Sequence, residues 1–211
     1  MWAINDSLAK LLGGAPTPLG GKAVRHFSCN VVYLGSLTPR GCSLRPCRRD
    51  LGKQFEAKFG TTLDDMATKG EIQLIYRTMT FLDNNLRNDS SLKAGIAAAC
   101  ADNAGAYSAY HNAIFAGQPT TEGAGYTTQQ LRVDFAATAG ITGDKLSTFQ
   151  QCYDTRTTQA FVEGTNEKAS AAGVNSTPTI MVNGTKLDNN TVFNQTTDAF
   201  RQTVLTTKGN G

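Results

Sequence analysis

The feature that most constrains this chain is a strand-and-turn pattern near its C-terminus, in residues 174–187. Apolar residues run up to Val182 and are followed by Asn183-Gly184, the dipeptide with the strongest preference for a tight β-hairpin. The pattern predicts a strand over 174–182 that Thr177-Pro178 interrupts, and a return strand over 185–187. The chain is therefore expected to build a sheet that ends in an antiparallel hairpin.

Two further strand patterns precede this hairpin. Residues 24–34 are rich in β-branched and aromatic side chains, and residues 71–76 read EIQLIY, so each segment predicts a strand. Between them, a helical pattern begins at Asp50 and contains Gly60, which we expect to interrupt or bend the helix. Its apolar residues recur at spacings of three and four: Leu51, Phe55, Phe59, Leu63 and Met66.

The middle of the chain is helical in several pieces. The predicted helices cover residues 91–101, 107–115, 131–139, 144–153 and 156–172, and a last one covers 196–206. Thr127 to Gln130 has the composition of a helix-capping sequence. The polar run Asp188-Asn189-Asn190 predicts a loop. This order of elements predicts an α/β protein whose sheet is interrupted by a helical excursion.

Composition and charge exclude several classes of protein. The chain has 211 residues, of which 40% are hydrophobic, so it can bury a core. Its 20 basic and 17 acidic residues are too evenly balanced to indicate nucleic-acid binding. We expect no membrane span, because no 18-residue window is continuously apolar. Residues 1–18 lack the apolar core of a signal peptide, and residues 1–22 are expected to be an arm or linker remnant before a domain at 23–208.

Several segments carry a resemblance to a known family. Residues 173–184 (GVNSTPTIMVNG) resemble the helix end, Thr-Pro pair and apolar strand of thioredoxin-fold proteins. Residues 98–101, 109–115 and 149–152 are similar to the helical insertion of actinobacterial DsbA-like thiol–disulfide oxidoreductases. The resemblance covers roughly residues 53–206. It implies a thioredoxin-like α/β fold with a helical subdomain inserted at about 84–160.

The resemblance also implies site residues. The proline of this family is cis, so Pro178 is expected to be cis and to expose the backbone of Thr177 to an extended substrate segment. The family often pairs its two insertion cysteines, which favours a structural disulfide between Cys100 and Cys152 over two buried free thiols. The bridge would stabilise the fold by roughly 4 kcal/mol and would indicate an oxidising compartment.

The implied activity is thiol–disulfide exchange outside the cytoplasm, in a secreted or membrane-anchored bacterial protein. The expected partners are extended cysteine-containing polypeptides and a redox partner protein. No cofactor is expected, because a cysteine pair carries the electrons.

The redox centre departs from the family pattern. The family places Cys-x-x-Cys at the N-terminus of the helix after the first strand, where the helix dipole stabilises a thiolate. Here the expected positions, about 49–52, hold Arg49-Asp50-Leu51-Gly52. The nearest cysteine pair is Cys42 and Cys47, with four residues between them.

Three interpretations of this departure stay open. Cys42 and Cys47 are the candidate catalytic pair, since Arg45, Arg48 and Arg49 beside them favour a thiolate. Alternatively, the domain is a redox-inactive relative that binds extended peptides or acts like a chaperone. In the third interpretation, residues 25–49 are not the natural coding sequence, for instance through a local frame error.

We predict no metal site. Cys29, Cys42, Cys47 and His26 offer four potential zinc ligands, but their spacing matches no established zinc pattern. His111 lies on an apolar helical stripe and is expected to be a structural histidine rather than a catalytic one.

Overall fold

The computed structural model describes residues 30–35, 51–119 and 124–207. Among these residues four strands form one sheet in the order β2-β1-β3-β4. The strands are β1 (Asn30–Gly35), β2 (Gln73–Thr78), β3 (Thr179–Val182) and β4 (Thr185–Lys186). β1 runs parallel to β2, with Asn30 opposite Gln73, and antiparallel to β3, with Leu34 opposite Thr179. The sheet is therefore mixed, with its hairpin at one edge.

The predicted hairpin is present. Asn183 and Gly184 have φ angles of 48° and 81°, and both lie in the left-handed region that a two-residue hairpin turn requires. Val182 pairs with Thr185 across this turn. The strand before it is shorter than predicted, because it begins only at Thr179, after the Thr-Pro pair.

The helical pattern after Asp50 forms a helix with an irregular centre. α1 (Leu51–Phe55) continues through a π-helical turn (Glu56–Gly60) into α2 (Thr61–Thr68). The irregularity expected at Gly60 is thus a widened turn and not a break. Four of the five apolar residues that predicted the helix are completely buried: Phe55, Phe59, Leu63 and Met66.

Between β2 and β3, the described residues form seven helical segments. They are α3 (Leu82–Leu86), α4 (Ser90–Asn103), α5 (Tyr107–Ala116), a π-helical turn (Gln130–Asp134), α6 (Phe135–Thr138), α7 (Gly143–Asp154) and α8 (Gln159–Ala171). The predicted capping sequence is present: the Gln130 backbone N–H donates to Thr127 Oγ1 at 3.1 Å, and the Thr127 N–H donates to Gln130 Oε1 at 2.9 Å. These helices enclose a hydrophobic core of their own, including Tyr110, Ile114 and Phe149.

After the hairpin, the part of the chain that the structure describes forms two helices: α9 (Asn189–Asn194) and α10 (Thr197–Thr206). The prediction of a loop at Asp188-Asn189-Asn190 is wrong. Asp188 caps α9, since its Oδ2 accepts from the backbone N–H and the hydroxyl of Thr191, both at 2.8 Å. α9 has only six residues, too few to show a helical apolar period. α10 packs on α1 and on the π-helical turn, where Phe200 contacts Phe55 and Phe59.

None of the helices among the described residues combines the length and the hydropathy needed to cross a lipid bilayer.

Candidate functional site

The end of α8 directs the chain into the loop before β3. Gly173 has a φ of 76°, and its N–H donates to the Ser170 carbonyl at 3.0 Å. The Val174 N–H donates to the Ala169 carbonyl at 2.9 Å, which completes a Schellman motif. Val174 is buried against the helix end. Glycine is suited to this position because a side chain disfavours a positive φ.

The loop contains the two residues predicted to bind substrate. The Thr177–Pro178 peptide bond is cis, the conformation that the family resemblance implies. Thr177 is 7% exposed and Thr179 1% exposed, and Pro178 is buried between them. The residues on either side of the cis bond are therefore packed into the fold, while Asn175 before them is exposed.

Two side chains hold the loop from its two ends. The Thr179 hydroxyl donates to the Ser176 carbonyl at 2.8 Å and so closes the turn around the proline. The Asn189 side-chain amide donates to the Pro178 carbonyl, also at 2.8 Å, from the first turn of α9. The hairpin of β3 and β4 turns the chain back toward Pro178, which brings Asn189, eleven residues further along the chain, within hydrogen-bonding distance of it.

The backbone of Thr177 is left without a partner by these contacts. Its N–H and C=O make no hydrogen bond to any residue in the described ranges. The neighbouring carbonyls of Ser176 and Pro178 are both occupied. Thr177 lies two residues before β3, and a free backbone donor and acceptor next to a sheet are the groups that an added strand can pair with.

A buried carboxyl group lies in the π-helical turn that follows α1. Glu56 belongs to the first π-helical turn, and its Oε1 is enclosed without a hydrogen bond to any described residue. Burial, and secondarily the nearby Asp64 carboxylate, raise the pKa of Glu56 to about 8. Gly60 makes room for this carboxyl, since a Cβ there would lie 3.0 Å from Glu56 Oε2. This group can exchange a proton near neutral pH.

His111 lies on α5 and packs against Tyr76 of β2. Its ring is 2% exposed and lies 4.3 Å from the ring of Tyr76 and 4.7 Å from that of Phe115, measured between centroids. Burial lowers the pKa of His111 to about 4, so the imidazole is neutral at pH 7. The environment is that of a packed core histidine, in agreement with the sequence analysis.

Cys100 and Cys152 form a disulfide. The bridge joins α4 to α7 with a Cα–Cα distance of 5.9 Å. Cys100 is 1% exposed, and its Sγ lies 3.6 Å from the Thr158 hydroxyl, which donates to the Ile96 carbonyl. The bridge packs against the core of the helical insertion, with Cys100 inside that core and Cys152 partly buried at its edge.

The candidate catalytic residues Cys42 and Cys47 lie outside the described residues, as do Cys29 and His26. Within the described ranges, no cluster of three or more His, Cys, Asp or Glu side chains is arranged to hold a metal ion.

Neither the role of Asn189 nor the burial of Glu56 is evident from the amino-acid sequence. Asn189 stands in a polar run typical of loops, and only the hairpin geometry brings it to the proline. Glu56 has no sequence signal for burial, because glutamate side chains are mostly exposed in proteins.

Comparison with known proteins gives one family match. A family model described as thioredoxin matches residues 52–202 of the chain, which includes the Thr177-Pro178 loop and both cysteines of the disulfide. No curated protein matches the chain.

Solved structures of similar fold are thiol–disulfide exchange proteins. The disulfide bond oxidoreductase DsbG of Mycobacterium tuberculosis superposes with a TM-score of 0.62 at 22% identity, over 83% of this chain and 76% of that one. DsbA of the same organism gives 0.59 at 24% identity, over 76% and 75%. The thiol–disulfide oxidoreductase MdbA of Actinomyces oris gives 0.64 at 19% identity, over 85% and 80%. These comparisons confirm the predicted α/β thioredoxin-like fold with a helical insertion, and the resemblance to DsbA-like proteins, including actinobacterial ones.

Proposed function

The chain belongs to the thioredoxin family, and we propose that it is an extracytoplasmic thiol–disulfide oxidoreductase acting on cysteines of exported, extended polypeptides. The observation that carries this proposal is the backbone of Thr177, which has no partner among the described residues and adjoins the cis Pro178. An extended segment of substrate would pair with this backbone by strand addition.

The proposed chemistry is an exchange between a substrate dithiol and an enzyme disulfide of Cys42 and Cys47. A substrate thiolate attacks one enzyme sulfur, so that a mixed disulfide forms and the other enzyme cysteine leaves as a thiolate. The second substrate thiolate then attacks the substrate sulfur of the mixed disulfide. The substrate loses two electrons as its disulfide forms, and the enzyme gains them as a dithiol, which a partner protein reoxidises.

A turnover assay tests this proposal. The substrate is a fluorescent peptide with two cysteines, and its oxidation is followed with glutathione disulfide as the terminal oxidant. We expect the wild type to accelerate oxidation and Cys42→Ser and Cys47→Ser each to abolish the acceleration. Cys29→Ser serves as the control that removes a cysteine outside the proposed pair. Equal rates for the wild type and both variants would contradict the assignment.

A second candidate is a redox-inactive module that binds extended peptides or acts like a chaperone. Arg49-Asp50-Leu51-Gly52 at the position of the family's Cys-x-x-Cys favours it. This module would bind the peptide at the same loop but would not accelerate its oxidation.

The third interpretation, that residues 25–49 are not natural coding sequence, has a separate test. Sequencing the source DNA would contradict it if the reading frame is intact and encodes these residues.

We place the protein outside the cytoplasm, as a secreted or membrane-anchored bacterial protein. The disulfide between Cys100 and Cys152 supports this location, because such bridges persist in oxidising compartments.

We also propose the domain limits 23–208, with an arm at 1–22 and the helical insertion at about 84–160. Limited proteolysis tests them, with cleavage expected first in the arm.

A further inference from the structure

We propose that Asn189 is a positioning residue, whose side-chain amide orients the Thr177–Pro178 segment so that the Thr177 backbone can pair with an extended substrate. This inference rests on the proposed function and deepens it, since it concerns how the same loop is held. Its basis is the hydrogen bond from Asn189 Nδ2 to the Pro178 carbonyl at 2.8 Å.

Asn189 reaches the loop because the elements around it are fixed. The Leu187 N–H donates to the Ile180 carbonyl at 2.9 Å, which extends the pairing of the hairpin toward α9. Asp188 then caps α9 and sets the direction of its first turn. The helix start and the hairpin together place the amide at the proline, and its position does not depend on a flexible side chain from a distant element.

The Asn189 amide has no other function visible in its contacts. The bond to Pro178 is its only side-chain hydrogen bond among the described residues, and Oδ1 is enclosed there without a partner. An enclosed amide oxygen without a partner destabilises a folded protein. Residues that break a folding rule in this way are concentrated at functional sites.

The consequence for the loop follows from its geometry. Pro178 has no N–H, so its carbonyl is its one backbone hydrogen-bonding group. The hydrogen bond from Asn189 to this carbonyl fixes the plane of the peptide bond between Pro178 and Thr179. The Thr179 hydroxyl fixes the turn at Ser176. With both carbonyls held, the Thr177 N–H and C=O keep one orientation, which reduces the entropy lost when a peptide pairs with them.

The test compares Asn189→Asp with Asn190→Asp. Aspartate at 189 has nearly the same shape but cannot donate to the Pro178 carbonyl when ionised. Asn190 is exposed on the same helix and takes the same change of charge, so it is the matched control. The probe is a short fluorescein-labelled peptide of alternating threonine and valine with a central serine, and its affinity is measured by fluorescence polarisation. Circular dichroism verifies that each variant is folded.

We expect Asn189→Asp to bind the peptide about tenfold more weakly than the wild type at about pH 7, and Asn190→Asp to bind within about twofold. At about pH 4.5 the Asn189→Asp carboxyl begins to protonate and can donate again, so its affinity relative to the wild type should recover. Asp188, the preceding residue, is common to all the proteins compared, and the Thr191 N–H and hydroxyl lower its pKa. Asn189→Ala should bind weakly at both pH values, without recovery.

Two results would overturn the inference in different ways. If the wild type binds the peptide and Asn189→Asp and Asn189→Ala bind it equally well, Asn189 has no positioning role, and the proposed function still stands. If the wild type itself does not bind the peptide, the proposed peptide-binding function fails, and the role of Asn189 fails with it.

Discussion

Burial sets the protonation state of individual residues near the π-helical turn of the first helix. Glu56 is enclosed with a pKa raised to about 8 from an ordinary value of 4.5. Between these two pH values the folded protein holds a proton that the unfolded chain has released. The free energy of unfolding therefore falls as the pH rises through this window, on account of Glu56.

Replacing Glu56 with glutamine, which does not ionise, should remove this fall in the free energy of unfolding. We expect Glu56→Gln to match the wild type in stability near pH 4.5 and to be more stable by roughly 2 to 4 kcal/mol near pH 8. Urea unfolding across this pH range measures the difference. His111 contributes in the opposite sense, since its pKa of about 4 means that its contribution to stability is lost as the pH falls from 6.5 to 4. That contribution is common to both proteins and cancels. A difference that does not change with pH would contradict the buried-carboxyl account.

At the scale of elements, the contact of α4 with α8 and β2 depends on a glycine. A Cβ at Gly95 would lie 2.8 Å from Val162 Cγ1 and 3.2 Å from Thr78 Cγ2. Val162 is 2% exposed and β-branched, so it cannot move aside easily. Gly164, on α8, has open space where a Cβ would be added.

The same substitution should therefore have opposite effects at the two glycines. Gly95→Ala gains helix propensity but overpacks the contact, and we expect a net loss of about 1 to 2 kcal/mol. Gly164→Ala gains the propensity alone, and we expect about 0.5 to 1 kcal/mol of added stability. Thermal and urea unfolding of both variants measure the two signs. Adding Val162→Ala should relieve part of the Gly95→Ala loss, and equal effects at both glycines would contradict the close packing.

The elements also show what the sequence could and could not predict. The spacing of Phe55, Phe59 and Leu63 predicted their helix and its buried face, because that face repeats with the helical period. Asn183-Gly184 predicted the hairpin, because few other residues tolerate its backbone angles. The contact between Asn189 and Pro178 was not predictable, because it depends on the return of the hairpin and on a helix too short to show a period. The cis bond at Pro178 was expected only from the family resemblance.

At the scale of the whole molecule, the helical insertion and the sheet have separate hydrophobic cores. The insertion core includes Cys100 and Phe149, and the other core joins the first and last helices to the sheet through Phe59 and Phe200. Arg201 of α10 forms ion pairs with Asp65 on α2 and with Glu71, two residues before β2. The disulfide lies wholly within the insertion, so its effect should be concentrated there.

Removing the disulfide tests that division. The bridge closes a loop across 52 residues of sequence separation, for which the chain-entropy account gives about 4 kcal/mol. We expect the double variant Cys100→Ser/Cys152→Ser to lose about this much stability in urea unfolding. Hydrogen exchange should accelerate more in α4 and α7 than in β3. A loss below about 1 kcal/mol, or acceleration spread evenly over the chain, would contradict this account.

The proposed function requires that this thioredoxin-family chain carry a second, exchangeable cysteine pair besides the structural bridge. The most direct measurement is a count of free thiols, with mass mapping, after equilibration of the purified protein in glutathione redox buffers. We predict reversible oxidation of Cys42 and Cys47 at a potential within roughly −120 to −270 mV, the range of known oxidoreductases, while Cys100 and Cys152 stay bridged. If the bridge between Cys100 and Cys152 is the only disulfide found at every potential, the oxidoreductase account is contradicted, and the chain is a binding domain of this fold.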